Sequence, residues 1–254
     1  MGGLDGRVAL ITGGGKGIGK GISLALAQQG VKLIIGCNST LGLAQETLKE
    51  LRKYTDAELI QADVGTYEGC KRLADAPIQR FGRLDILVNN AAIQSQYSLL
   101  ESSVEIFRKE YNVNLRAAFY LIQLCVPYIR ESKQGRIVLI SSVHAKRPTD
   151  FDAAYAVSKG SMTMLMREAA VELAPLGITV NCVAPGGVKI EGKTGNPRKF
   201  TVRSFLEQKT RNPFRMGRYG LPRDTAGIVA YLVGAEADHV TGTTIRVDGG
   251  SMLV

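Results

Sequence analysis

The sequence predicts an α/β fold: one doubly wound parallel sheet with helices on both faces, in a single domain spanning residues 1–254. Three observations predict it. Apolar runs alternate with amphipathic segments from end to end, the pattern of strand–helix units feeding a parallel sheet. Several runs, such as Ile137-Val138-Leu139-Ile140 and Ile86-Leu87-Val88, are apolar without alternation, as strands covered on both faces are. A glycine-rich turn, Thr12–Gly19, joins the first run to the first amphipathic segment. A chain of 254 residues with 45% apolar content fits one such domain, and no repeat or low-complexity linker divides it.

In order, the runs predict strands at Val8–Thr12, Lys32–Ile35, Glu58–Gln61, Ile86–Asn89, Arg136–Ser141, Thr179–Val183 and Thr244–Val247. Segments with a period near 3.6 predict helices at Ile18–Gln29, Leu43–Tyr54 and Tyr67–Phe81, with further long helices near Val104–Arg130 and Asp152–Leu173. The stretch Pro185–Pro197 is irregular, rich in glycine and charge, and precedes a helix expected near Phe200–Thr210. A long interruption in a compact chain is usually functional, and here it reads as a lid around 187–215.

The turn carries the first chemical signal. Gly13, Gly15, Gly17 and Gly19, with Lys16 and Ile18 between them, follow an apolar strand and open a helix. Glycine lets the backbone turn tightly and approach a pyrophosphate without a Cβ, and the helix N-terminus offers free N–H groups and a positive dipole end. The context points to a dinucleotide. A site selecting NAD places a carboxylate about 20 residues beyond the glycines, on the ribose 2′-hydroxyl. The corresponding stretch, Ile35-Gly36-Cys37-Asn38-Ser39-Thr40, has no acid. Lys16 can reach a 2′-phosphate as a cation, and Asn38, Ser39 and Thr40 supply donors, so the expected cofactor is NADP(H).

The second signal is Ser142 followed by Tyr155-Ala156-Val157-Ser158-Lys159. Four residues apart on a helix, Tyr155 and Lys159 share a face. An ammonium beside the phenol is expected to lower its pKa from the solution value near ~10. A phenol so tuned gives a proton to a developing alkoxide or takes one from an alcohol. Ser142 ends a strand at the edge where open α/β sheets bind ligands, and its hydroxyl can hold the substrate oxygen.

With these residues in place, the chain resembles the short-chain dehydrogenase/reductase family over its full length, a Rossmann-type fold. The matching pieces are Thr12–Gly19, Asp63-Val64, Asn89-Asn90-Ala91, Asn112-Val113-Asn114, Ser141-Ser142, Tyr155–Lys159, Asn181 and Pro185-Gly186. The resemblance implies that Asp63 and Val64 contact adenine, that Asn90 and Ala91 border the cofactor, and that Lys159 also grips the nicotinamide ribose. It implies that Pro185, Gly186, Gly187 and Val188 line the nicotinamide. It places Asn114 with Ser142, Tyr155 and Lys159 in the catalytic set, holding a water chain to Lys159. It further implies a homo-oligomer, dimer or tetramer, built on the long helices. Two positions depart from the family pattern: Ala92 stands where glycine is usual, and Ile190 stands where a threonine usually touches the nicotinamide amide, a contact that would be lost or passed to Thr194.

Composition bounds the rest. The net charge is +9, and Lys189–Arg218 carries nine basic residues against Glu191 and Glu207, a net +7. That segment suits a solvated helix or a surface steering an anionic or carrier-bound substrate. No stacking platform or nucleic-acid module accompanies it, so nucleic acid is not expected. Four scattered cysteines and two histidines predict neither a disulfide framework nor a metal site. The start, Met1–Arg7, has no apolar signal core and no stretch is long enough for a bilayer, which predicts a cytoplasmic protein without a membrane partner.

The expected reaction is hydride transfer between a nicotinamide and a ketone or aldehyde, or the reverse from an alcohol. Gln94, Ser142, His144, Tyr155 and Gly187 are expected to meet the substrate, with Gln96 and Phe151 nearby. Three functions stand: an oxidoreductase for a small polyol, sugar or hydroxy-ketone; a 3-oxoacyl-(acyl-carrier-protein) reductase; and a regulatory NADP(H)-binding protein with an idle site.

Overall fold

A computed structural model describes residues 3–149, 151–190 and 215–253. Seven parallel strands form one sheet in the order β3-β2-β1-β4-β5-β6-β7. They are β1 Val8–Thr12, β2 Lys32–Cys37, β3 Ala57–Gln61, β4 Ile86–Asn89, β5 Arg136–Ile140, β6 Thr179–Pro185 and β7 Thr244–Val247. All seven coincide with expected strands to within two residues at each end. β6 runs on to Pro185 because its last residues pair with β7, Pro185 opposite Val247.

Among the described residues seven α-helices cover the sheet: α1 Gly17–Ala27, α2 Leu41–Leu51, α3 Tyr67–Phe81, α4 Val104–Tyr111, α5 Ala117–Ile129, α6 Ala153–Leu173 and α7 Pro222–Val233. Their ends follow local chemistry. The Thr66 hydroxyl accepts from Gly69 N at 3.0 Å to start α3, and Ser103 and Asp152 cap α4 and α6 in the same way. Gly82, left-handed at φ +72°, ends α3.

Each strand sends alternate side chains to opposite faces. Val8 and Leu10 join one core with residues of α3, α5 and α6, including Leu73, Leu121 and Met166. Ala9 and Ile11 join the other with α1 and α7, including Ile22, Leu26 and Val229. Two buried faces explain the unbroken apolar runs. At the N-terminal edge Asp85, nearly inaccessible, accepts from Val8 N (2.9 Å), Arg83 Nη2 (2.7 Å) and Ser132 Oγ (2.6 Å).

The helix expected over Val104–Arg130 is not continuous. A π-helical turn, Asn112–Arg116, separates α4 from α5. The extra residue in that turn rotates the chain, and Asn114 comes to face the loop after β4 and helix α6. The lid expected around 187–215 lies outside the described residues except for Gly187–Ile190 and Arg215, and the helix near Phe200–Thr210 and Thr194 lie outside them altogether.

Candidate active site

The strand order reverses between β1 and β4, and in open α/β sheets ligands bind outside the carboxyl ends of the strands at such a point. The glycine-rich turn lies there. Gly13 takes φ +64°, and a Cβ on it would stand 3.0 Å from Asn90 Nδ2. The reason is a clamp between β1 and β4. Asn90 Nδ2 donates to Thr12 O (2.8 Å) and Gly13 O (3.2 Å), while Thr12 Oγ1 accepts from Asn90 N and Ala91 N, both at 2.9 Å. Asn90 and Ala91 thus border the turn, with the Asn90 side chain spent on holding it. Gly17 is also left-handed, at φ +54°, and its open face is covered by Ile190, whose methyls lie 3.3 Å from where a Cβ would be. The residue that departs from the family pattern therefore packs over the turn. The other departure, Ala92, is exposed.

The turn fits a pyrophosphate on a specific observation: α1 begins at Gly17 with no side-chain cap from Lys16 and no acid in its first turn. Its positive end is left for an external anion. Lys16, Asn38 and Ser39 are exposed around it, with Thr40 half-buried at the start of α2. Asp63 is exposed and accepts from Gly65 N at 2.9 Å, and Val64 is buried behind it. On the far side Pro185 ends β6, Gly186 N donates to Val247 O (2.9 Å), and Gly187 O accepts from Gly220 N (2.9 Å), with Val188 bridged to Gly220. The segment after β6 is thereby fixed at the same edge of the sheet.

α6 brings the second group together. Ser142, just past β5, hydrogen-bonds the Tyr155 phenol and accepts from His144 N at 3.1 Å. His144 gains partners that sequence alone did not reveal: its ring lies 6.5 Å from that of Tyr155 and 6.2 Å from that of Phe151, with Nδ1 3.3 Å from Arg147 O. Gln94 is half-buried in the loop after β4. Asn114 accepts from Ile93 N (2.8 Å) and donates to Ile93 O (2.9 Å) and Ser158 Oγ (3.1 Å). Both of its amide hydrogens are used in tying that loop to α6.

The electrostatics overturn one expectation. Lys159 was expected to acidify Tyr155, yet its Nζ donates to Ile140 O at 2.7 Å and lies 5.6 Å from the centre of the phenol ring. Burial pushes the Tyr155 hydroxyl up to about 12; the Ser142 hydrogen bond opposes this, and the charges of Asp152 and Glu110 add to it. Burial also lowers Lys159 to about 8. Desolvation disfavours both phenolate and ammonium, and it is the largest cause of each shift. Tyr155 consequently stays protonated across the neutral range.

Sequence reasoning missed Thr12, Glu110 and Asp152. Glu110 is fully buried in α4 and Asp152 nearly so. A charged residue on the inward face of an amphipathic helix was the available signal for Glu110. Among the described residues no cluster could hold a metal ion, and no helix is long and apolar enough to cross a membrane.

Comparisons with known proteins agree with this geometry. A family profile described as enoyl-(acyl carrier protein) reductase matches residues 13–252. Versicolorin reductase stcU of Emericella nidulans is 34% identical, covering 98% of this chain and 96% of its own. L-rhamnose 1-dehydrogenase (NADP(+)) of Thermoplasma acidophilum is 32% identical over 98% and 97%. A short-chain dehydrogenase/reductase from Serratia marcescens superposes with a TM-score of 0.87 at 32% identity, covering 98% of both chains.

Proposed function

Because the chain belongs to the short-chain dehydrogenase/reductase family, oxidoreductases that use nicotinamide cofactors, we propose that it is an NADP(H)-dependent enzyme interconverting a ketone or aldehyde and an alcohol. The observation that carries the reading is the placement of Tyr155, Ser142 and Lys159 at the carboxyl edge of the sheet, beside a helix N-terminus left without a cap. NADP(H) is favoured by the acid-free end of β2 and by Lys16 in the turn; the rhamnose enzyme's name carries the same cofactor.

The chain's own residues divide the work. Gly13, Gly15, Gly17, Ile18 and Gly19 seat the pyrophosphate by backbone, with Lys16, Asn38, Ser39 and Thr40 around a 2′-phosphate. Asp63, Val64, Asn90 and Ala91 line the adenosine side, and Pro185, Gly186 and Val188 the nicotinamide side. When bound, the cofactor supplies or accepts the hydride. Ser142 holds the substrate oxygen, and Tyr155 gives it a proton as the carbonyl is reduced, or takes one in the reverse direction. Lys159 holds a positive charge behind the phenol, and Asn114 fixes the loop that carries Gln94. Gln94, His144 and Gly187 bound the substrate.

The substrate is a small polyol, sugar or hydroxy-ketone; the net +7 of Lys189–Arg218 favours, as a second reading, an anionic or carrier-bound one such as a 3-oxoacyl thioester. Exposed Val104, Phe107 and Tyr111 on α4, Phe119 on α5 and Val171 on α6 give the long helices an apolar surface suited to a homo-oligomer in the cytoplasm. NADPH absorbance with a panel of sugars, diketones and acetoacetyl thioesters tests the reading. Tyr155→Phe must remove turnover; a variant as active as the parent would refute Tyr155 as the proton donor, and a parent that turns over none of these substrates would favour the regulatory alternative.

A further inference from the structure

Two carboxyl groups that the proposed chemistry does not use lie buried beside Tyr155. Glu110 stands in the last turn of α4 and Asp152 at the N-cap of α6. Both reach the same piece of chain. Glu110 Oε1 accepts the N–H of Ser95 at 2.5 Å, and Asp152 Oδ2 accepts the next N–H, that of Gln96, at 3.3 Å. Asp152 Oδ1 accepts the N–H of Tyr155 itself, at 3.3 Å. Gln96 has φ +60°, the only non-glycine residue with positive φ among the described residues. Such a conformation persists only where its surroundings hold it. Successive N–H groups beside a left-handed residue make a concave seat for anions, and here the protein fills that seat with its own acids.

Their charge is constrained. Glu110 Oε2 is buried without a hydrogen-bond partner among the described residues. An ionised carboxylate with one bare, dry oxygen beside a second carboxylate is the costliest state available, and a proton relieves it. Burial holds the Glu110 carboxyl above the usual carboxylate range; hydrogen bonds from Ser95 oppose this, and the charge of Asp152 adds to it. From α6 the groups facing it are Asp152 and Tyr155; one turn on, Lys159 gives its ammonium to Ile140 O, and His144 approaches Tyr155 from the turn after β5. On its own helix Glu105, Arg108 and Lys109 are exposed.

We propose that Glu110, in its protonated form, is a positioning residue, which together with Asp152 staples Ser95 and Gln96 to the N-terminus of the helix carrying Tyr155. A single proton then sets the loop that borders the substrate. Its loss would set two negative charges in the seat, loosening the loop and raising the proton affinity of the phenol. The proposal rests on the reading of Tyr155 as proton donor for its consequence in catalysis, but its test needs no turnover.

The test uses the full chain with carbon-13-labelled glutamate, and amide hydrogen exchange over residues 92–98. Above the pH at which ordinary glutamates have ionised, one side-chain carboxyl resonance is expected to stay at the position of a protonated acid, and it is absent in Glu110→Gln. Glu110→Gln, whose amide oxygen still accepts from Ser95, keeps the parent's protection. Glu110→Ala lowers protection at Ser95 and Gln96 at least tenfold and leaves residues 12–19 unchanged. In the parent, protection of the loop falls as the resonance titrates, and in Glu110→Gln it does not. A Glu110 resonance that titrates near the ordinary ~4.3 of glutamate would overturn the proposal; so would a Glu110→Ala loop protected within twofold of the parent. Should Glu110→Ala fail to fold, the resonance and the Gln variant still decide. A turnover-competent Tyr155→Phe would sink the proposed function while leaving these readouts intact.

Discussion

Replacing Lys159 by Met should stabilise the protein while abolishing its proposed activity. Lys159 is essentially inaccessible and its ammonium is held at about 8 against an ordinary 10.5. Folding at pH 7 therefore carries a cost of about 3 kcal/mol for keeping that charge dry. Methionine has similar bulk and no charge to desolvate. Its drawback is the loss of the Nζ bond to Ile140 O, which leaves a carbonyl with one partner fewer, worth about 1 kcal/mol. The net gain is about 2 kcal/mol at pH 7, or about 4–8 °C in Tm for a chain of this size. The sign with pH follows from proton counting. Between pH 8 and 10.5 the unfolded lysine binds more protons than the folded one, so the parent gains stability as pH rises through that window. By pH 10 the cost shrinks to about 1 kcal/mol and the variant's advantage vanishes. Urea denaturation of both proteins at pH 7 and pH 10 measures this directly. A variant no more stable than its parent at pH 7, or an advantage equal at the two pH values, would refute the desolvation argument.

Other outcomes follow from the same geometry. With Tyr155 held at about 12, the phenolate fraction rises tenfold per pH unit throughout the accessible range. Alcohol oxidation with NADP+ should therefore climb about tenfold per unit from pH 6 to 8, and a flat profile there would contradict the assignment. Glu110 binds its proton more tightly folded than unfolded, so stability is lost as pH rises above the ordinary glutamate range. Glu110→Gln should lack this decline in parallel thermal melts. Gln96 sits at φ +60°, so Gln96→Gly should lose no stability, whereas Gln96→Val should lose about 1–2 kcal/mol in urea titrations. Asp85→Ala strips the partner from Val8 N, Arg83 and Ser132 at a buried position. It should cost about 1–3 kcal/mol, because the buried Val8 N–H loses its acceptor while Arg83 remains in solvent, and no measurable loss would show that the cluster at the N-terminal sheet edge is dispensable.

What could be read from the sequence was what depends on neighbours along the chain. Strands such as Ile86–Asn89 and helices such as Tyr67–Phe81 are written in periodicity and in the caps beside them. The glycine turn after β1 and the four-residue step from Tyr155 to Lys159 are local patterns too, and they named the fold, the family and the candidate chemistry. The tertiary structure alone decided what depends on burial and on partners far apart in the chain. Asn114 faces Ile93 and Ser158 because a π turn adds one residue to a helix whose pattern read as continuous. Asn90 reaches Thr12 across 78 positions, and Glu110 meets Asp152 only where α4 packs on α6. The reversal at Tyr155 has the same origin. Spacing places an ammonium on the same helix face as the phenol, but the sign of the shift is set by how much water each charge loses. That loss is determined by the closed interior around β5, β6 and α6, and no linear pattern records it.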